Sequence, residues 1–360
     1  ARRLSELGCE VTILTADRNP DQNNNGRLRE KHQDGYKIVY LPVRSEVYHQ
    51  TFVNGLEEAL EQSKPDVVQV AELVELTTLK TVRWCRKRGI PSVIWHGAYA
   101  FFGKGVLAQK VYLNTAGRYL CRSASALIAK TTSAKSFLEH LGVRPEKVHA
   151  IPVGLDTEAF LCRHKEPVNL SWIPSQPFIM NVGQMVPRKN QAHLVQALRQ
   201  VCDIHPEFNL LIIGSGVEAQ NLRSLAKSFG LAENVTLQTE RVPNSVLAQV
   251  YDKAFITAMP SEYEIFGMTI LESFACGTPV IGRCGGGMSD LIEDGITGYL
   301  YEDVDDISRR IIRLYEDREV YLSLRKTAQE ASAKYDWKAV APRFLAVYSS
   351  CLSAGKRGQV

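Results

Sequence analysis

At 360 residues, with 45% hydrophobic and 23% charged side chains, the chain is long enough for two domains with full cores, which excludes disordered and fibrous classes. The net charge of +4 is uneven, since residues 1–170 carry 24 Lys and Arg against 18 Asp and Glu while 171–360 carry 19 against 21. No apolar run approaches the length that spans a bilayer and no secretory signal is recognisable, so the expectation is a cytoplasmic protein, with a possible peripheral site at the inner face of the membrane.

Apolar runs alternate with amphipathic segments, the pattern of parallel strands joined by helices, so the fold class is α/β. Ala1–Leu7 reads as the end of a helix stopped at Gly8, with strand Glu10–Thr15 following. Further strands are expected at Tyr36–Leu41, Val67–Val70, Ser92–Trp95, Ala126–Ala129 and Val148–Ile151. The polar, Pro-containing stretch from Cys162 to Pro177 reads as a linker between domains 1–165 and 175–335. Strands restart at Phe178–Val182, Asn209–Ile213, Val235–Gln238, Ala254–Ala258 and Thr278–Ile281, with helices at Gln191–Cys202, Ala219–Phe229, Val246–Tyr251 and the segment carrying Glu272. Segments Asp305–Leu314 and Glu319–Lys334 and a last helix from Trp337 (337–352) close the chain. The cysteines (Cys9, Cys85, Cys121, Cys162, Cys202, Cys276, Cys284, Cys351) are scattered without metal-ligand spacing and read as reduced core residues.

The chemistry concentrates in Pro260-Ser-Glu-Tyr-Glu-Ile-Phe-Gly-Met-Thr-Ile-Leu-Glu-Ser-Phe-Ala-Cys-Gly-Thr-Pro-Val280, which reads as strand end, loop and helix. Gly267 lets backbone approach a ligand, and the amides around Phe266, Gly267, Met268 and Thr269 would point at an anion such as a diphosphate. Glu264 outside the helix and Glu272 inside it are acceptor-only groups, each able to hold a sugar diol on either side of that phosphate. His96 stands at a strand's carboxyl end, where polar residues face the crevice of doubly wound sheets.

Other motifs read differently. Gly214-Ser-Gly-Val-Glu-Ala219 with Glu240 imitates a dinucleotide fingerprint but follows the second strand of its domain, not the first. Asp303-Val-Asp305 reads as a structural acidic turn, and Gly285-Gly-Gly-Met-Ser-Asp290 as a Gly-rich turn before a helix. Between Glu75 and Glu139 there is no acidic residue, while Lys80, Arg83, Arg86, Lys87, Arg88, Lys104, Lys110, Arg118, Arg122, Lys130 and Lys135 fall there. With Tyr99–Lys104 and the aromatic and aliphatic residues of 110–122, the basic 76–138 region reads as a candidate surface for an anionic membrane, or equally as a soluble helix; no nucleic-acid module accompanies it.

The 260–280 run resembles the Glu-x7-Glu signature of retaining glycosyltransferases of family 4, whose GT-B fold has two facing Rossmann-like domains with an interdomain cleft. The resemblance covers nearly the whole chain. It implies that Lys189 in Asn181-Val-Gly-Gln-Met-Val-Pro-Arg-Lys-Asn190 holds the donor diphosphate, with Gln184 in place of the family's Arg, a neutral amide for a cation. It further implies Val242 beside the nucleotide base, with Thr239 for the usual Gly, His96 at the transferred sugar, Glu264 on the sugar ring and Glu272 on the ribose, without metal or other cofactor. Family members begin with a strand and a Gly-rich turn, so the chain reads as lacking its first βα unit, and their last helix crosses back to the first domain. The implied reaction moves a hexosyl unit from a nucleoside diphosphate sugar to a hydroxyl of a glycan or lipid-linked acceptor. The alternatives are a sugar-nucleotide epimerase of the same shape, or a catalytically weak nucleotide-binding remnant suggested by Gln184 and Thr239.

Overall fold

The computed structural model describes residues 1–18, 28–47, 50–101, 105–161, 169–175 and 177–357. The chain forms two compact units, Ala1–Pro152 with Lys338–Val360, and Val153–Trp337. Phe102, Lys104, Cys162 and the first half of the expected linker lie outside the described residues. The passage between units falls at Pro152–Val153, ahead of that linker. The reason is local: Leu155 donates its amide to the Tyr335 carbonyl at 2.8 Å, and Thr157 bonds the Asp336 carboxylate, so the chain is already committed to the second unit there.

The first unit begins with α1 (Arg2–Glu6) and a sheet of β1 (Thr12–Asp17), β3 (Tyr36–Val47) and β2 (Arg29–Gln33), with β4 (Gln50–Val53) paired to β3. Strands β2 and β4 were not expected from the sequence, and β3 runs longer than Tyr36–Leu41. Strand β2 is polar and exposed and turns into β3 through Asp34 and Gly35, both at positive φ, the two-residue hairpin chemistry of Asp-Gly. After α2 (Leu56–Ser63), a parallel sheet β5-β6-β7-β8 runs through Val68–Ala71, Ser92–His96, Ala126–Ala129 and Val148–Ala150. Its connections are α3 (Leu76–Arg88), the run α4 (Val106–Tyr112), a π-turn at Leu113–Gly117 and α5 (Arg118–Ser123), and α6 (Thr132–His140). Thr131 caps α6 by accepting the Ala134 amide at 3.0 Å. Strands β1 and β5 end their separate sheets, although Leu14, Val68 and Val70 share one apolar cluster with Leu56, Leu60, Trp84 and Ile90.

The second unit is a six-stranded parallel sheet in the order β11-β10-β9-β12-β13-β14. The strands are β9 (Phe178–Val182), β10 (Asn209–Ile213), β11 (Val235–Gln238), β12 (Ile256–Met259), β13 (Val280–Arg283) and β14 (Gly298–Tyr301), the last unexpected. Their near-continuous apolar runs match burial on both faces, one cluster built around Phe178, Tyr251 and Phe274 and the other around Leu198, Phe208 and Tyr301. Each such side chain contributes about 1.5–3 kcal/mol of burial. Helices α7 (Ala192–Cys202), α8 (Ala219–Ser228), α9 (Asn244–Lys253), α10 (Met268–Ala275), α11 (Gly286–Leu291), α12 (Val304–Glu316) and α13 (Arg318–Ser332) cover the sheet. The order 3-2-1-4-5-6 places a topological switch between β9 and β12, where ligands of doubly wound sheets bind.

Helix α14 (Trp337–Arg357) passes into the first unit. There Phe344 packs edge-on against Trp95, Arg343 donates to the Ala150 carbonyl at 2.7 Å and Tyr348 donates to Gln69 at 2.5 Å.

Candidate active site

The switch point of the second unit is built from backbone outward. Asn181 at the end of β9 is buried and donates to the Ala258 carbonyl of β12 at 2.7 Å, pinning the two strands from which the chain departs in opposite directions. The loop after β9 is clamped against the loop after β10. Gly183 donates to Ile213 and Met185 to Ser215, and Glu218 donates back to Met185, each at 2.9 Å. A Cβ on Gly214 would stand 2.0 Å from the Gly183 carbonyl oxygen, so the close approach demands glycine. The Gly-x-Gly of the false dinucleotide fingerprint therefore serves as a seat for the 183–185 loop, and Glu240 is exposed.

That seat fixes Lys189 and carries it across the switch point. Its ammonium donates to Glu264 Oε2 at 2.6 Å, with 14% and 19% of the two side chains exposed. The residues expected to hold diphosphate and sugar are thus ion-paired with each other. Gln184 is exposed, and its carbonyl accepts from the Gln191 side chain at 3.0 Å. Arg188 lies over the Tyr263 ring, 5.5 Å from its centroid.

Beyond Glu264, Gly267 takes φ +90° and opens α10 without a side-chain cap. The Ile270 amide turns back to the Gly267 carbonyl at 2.9 Å, while those of Met268 and Thr269 have no intrahelical acceptor. Phe266, expected beside the donor, has a side chain only 5% exposed within the apolar core, so its backbone alone can serve a ligand. Val242 is likewise half-buried against that core. Glu272 is half-buried one turn into the helix, and its Oε2 accepts from the Tyr251 hydroxyl at 2.9 Å. Burial raises the Glu272 carboxyl and the Tyr251 bond partly offsets it, while burial first and then the charge of Glu272 push the phenol well up. Tyr251 was not singled out from the sequence.

Elsewhere in this unit Asp303 is the N-cap of α12, accepting the Asp306 amide at 2.8 Å, and Asp305 accepts from Gln200 at 2.7 Å. Among the described cysteines Cys85, Cys121, Cys276 and Cys351 are buried, but Cys284 is exposed because it leads the open Gly285–Gly287 turn, which corrects the reading of all as core residues.

In the first unit, three adjacent strands deliver polar groups at their carboxyl ends. Glu72 follows β5, His96 ends β6 and Lys130 follows β7. The His96 side chain was expected to face an opening, yet it is fully enclosed, its ring stacked near Phe137 at 6.2 Å. Its Nδ1 lies 2.8 Å from Glu72 Oε2, and the Lys130 ammonium donates to Glu72 Oε1 at 2.6 Å. The Gly97 amide also donates to Oε2, at 3.2 Å. Burial pushes the Glu72 carboxyl up, but the bonds and charges of His96 and Lys130 prevail and hold it at about 2. Its backbone stands at φ +56°, a conformation that costs a non-glycine residue about 1–3 kcal/mol. Neither Glu72 nor Lys130 was singled out from the sequence as a partner of His96.

The basic region gathers at the carboxyl end of α3 and along α5. Arg86, Arg118 and Arg122 line a depression of about 700 Å³ with Tyr119, whose ring is flanked by Arg83 and Arg86 at 5.6 and 5.7 Å. On α4, Leu107 and Val111 are 75% and 58% exposed. No helix among the described residues is long and apolar enough to cross a membrane.

Comparison with known proteins agrees with this geometry. Residues 1–159 match the family model of Glycosyltransferase Family 4, and residues 163–331 match that of Glycosyl transferases group 1. A D-inositol 3-phosphate glycosyltransferase of Nocardiopsis dassonvillei is 27% identical over 98% of this chain and 87% of its own length. That of Segniliparus rotundus is 28% identical over 66% of this chain, and the match spans only 54% of the relative's length. Among solved structures, sucrose-phosphate synthase from Thermosynechococcus elongatus superposes with a TM-score of 0.79 at 20% identity, over 98% of this chain and 92% of that one. HepE of Anabaena, solved in complex with UDP, gives 0.73 at 16% identity, over 95% and 100%. The two family matches and the doubly wound architecture lead to one conclusion: the chain belongs to glycosyltransferase family 4 and has the GT-B fold.

Proposed function

We propose that the chain transfers a hexosyl unit from a nucleoside diphosphate sugar to a hydroxyl of a glycan or lipid-linked acceptor, with retention at the anomeric carbon. The observation that carries this reading is the meeting of Lys189 and Glu264 at the β9–β12 switch point, beside the open amino end of α10 and with Glu272 one turn further on. The amides of Met268 and Thr269 and the Lys189 ammonium take the diphosphate and stabilise it as it leaves, without a metal ion. Glu264, released from Lys189 by the incoming phosphates, turns to the sugar hydroxyls, and Glu272 takes the ribose with its second oxygen while Tyr251 holds the first. His96 is assigned to the transferred sugar. The complexes of HepE with UDP support a uridine nucleotide as the first donor to try. In the basic region, Leu107 and Val111 support an anionic membrane as the surface on which a lipid-linked acceptor is met.

The test is release of UDP from UDP-glucose, with and without polyprenyl and glycan acceptors. Glu264→Gln and Glu272→Gln are expected to lower turnover at least 100-fold. Failure of the wild-type chain to turn over any of a panel of nucleoside diphosphate sugars sinks the proposal, and release of an epimerised nucleotide sugar replaces it. The exposed, neutral Gln184 favours a second reading, a weak enzyme that binds donor well. Donor binding that persists with no gain in turnover on Gln184→Arg selects that reading.

A further inference from the structure

We infer that the basic depression of the first unit, walled by Arg86, Arg118 and Arg122, is a binding site for a phosphate group, separate from the cluster at the β9–β12 switch point. The inference is independent of the functional reading above, because it is tested by binding and needs no turnover.

Position comes first. Arg86 stands in the last turn of α3 and Arg122 in that of α5. Those helices end shortly before β6 and β7 begin, so the depression lies toward the amino edge of that parallel sheet. Substrates of doubly wound sheets bind at the carboxyl edge, where Glu72, His96 and Lys130 stand. Cations in a helix's last turn balance its dipole, which accounts for Arg86 and Arg122 singly. It does not account for Arg83 and Arg118, each about a turn earlier, which bring further positive charge to the same place.

Among the described residues no carboxylate lines the depression, and none is paired with Arg83, Arg86, Arg118 or Arg122. Other cations of the same unit do find one: Arg29 meets Asp17 and Arg144 meets Glu146, each at 3.3 Å, and Arg88 meets Glu61. Arg118 and Arg122 also wall an adjoining depression of about 380 Å³ that reaches Lys147. Between the two arginines of α3 lies the Tyr119 ring, 5.6 and 5.7 Å from their guanidiniums. Burial acts to raise the Tyr119 phenol, but bonds to Arg86 and Ser123 and the charges of Arg86 and Arg83 prevail and lower it, the mark of a positive local field. The cations lining the depression are all arginines, planar forks that grip phosphate oxygens two at a time. Three such forks offer more donors than one carboxylate accepts, whereas a phosphate group brings up to two charges and three terminal oxygens. A phosphate reaches this face on a phospholipid headgroup or on a soluble ester. Leu107 and Val111, exposed on the same helical run, make the headgroup the first source to test.

The test compares two double variants of the full chain that lose the same charge. One is Arg118→Gln with Arg122→Gln, and the other is Arg223→Gln with Lys227→Gln on the exposed face of α8 in the second unit. Binding is measured by sedimentation with vesicles of phosphatidylglycerol or of phosphatidylcholine alone, and by calorimetry with inorganic phosphate in the presence of UDP. The wild type is expected to bind phosphatidylglycerol and not phosphatidylcholine. The first variant should weaken that binding about 10- to 30-fold while the second stays within about twofold. Binding of inorganic phosphate that depends on Arg118 and Arg122, without binding of vesicles, keeps the site and assigns it to a soluble ester. Equal losses in the two variants overturn the inference, because general positive charge would then suffice. Binding of neither probe by the wild type overturns it as well, and that result needs no variant to fold.

Discussion

The ion pair between Lys189 and Glu264 makes a prediction of opposite signs. At 2.6 Å and an effective dielectric constant of about 20, its gross attraction is about 6 kcal/mol, of which desolvation of the two half-buried groups removes most. On the proposed reading, a net of about 1 kcal/mol therefore opposes the arrival of phosphates at Lys189. Glu264→Gln removes that competition and is expected to tighten binding of UDP, which carries no sugar, about fivefold. Lys189→Met removes a charge-assisted hydrogen bond of about 1.5–3 kcal/mol and is expected to weaken UDP binding roughly 10- to 150-fold. In the double variant Glu264→Gln should confer no gain, because the cation it would release is gone. Isothermal titration calorimetry with UDP reads all four proteins in one buffer. Weaker UDP binding in both single variants, or a gain from Glu264→Gln that persists without Lys189, refutes the competition.

Gly214→Ala places a methyl group 2.0 Å from the Gly183 carbonyl, and is expected to cost about 2–4 kcal/mol in urea unfolding and to abolish UDP binding by displacing the 183–189 loop. Tyr251→Phe removes the hydroxyl that Glu272 accepts. An expected loss of about 1.5–3 kcal/mol of stability, with weaker UDP binding in calorimetry, would follow from a carboxylate left half-buried with one partner fewer. Asp303→Ala should cost about 1 kcal/mol through the lost cap of α12 and leave UDP affinity unchanged, separating this Asp-x-Asp pair from any donor role. Glu72 titrates below its ordinary value, from 4.5 to about 2, so its contribution of about 3 kcal/mol is present above pH 4.5 and is lost as pH falls through 2. Acid unfolding of Glu72→Gln should accordingly show a flatter dependence across that window than the wild type.

The parts of the fold carried by continuous apolar strands were legible, as Leu210–Ile213 shows, because burial on both faces leaves no other use for such a run. Strand β2 was missed since Arg29–Gln33 has no apolar face, although Asp34-Gly35 between two five-residue arms signalled its hairpin. At the candidate site the sequence could name Lys189, Glu264 and Glu272 singly. It could not show that the first two touch, since 75 residues separate them and their meeting depends on strand order. Tyr251 was invisible for the same reason, sitting on α9 among ordinary core residues. Phe266 entered the reading through backbone amides, and its ring is taken up by the apolar core. Glu72 needed both a strand register and a rare backbone conformation to become noticeable.

The second unit is an insertion: the chain leaves the first unit at Pro152 and returns at Lys338, and the two passages lie side by side, Leu155 bridged to Asp336. During synthesis the inserted unit has all of its strands once Tyr301 has emerged, whereas the first unit waits for Phe344 and Tyr348 to cover Trp95 and Gln69. A chain cut shortly after Trp337 would therefore keep every strand of the second unit while leaving the first without the helix that covers Trp95.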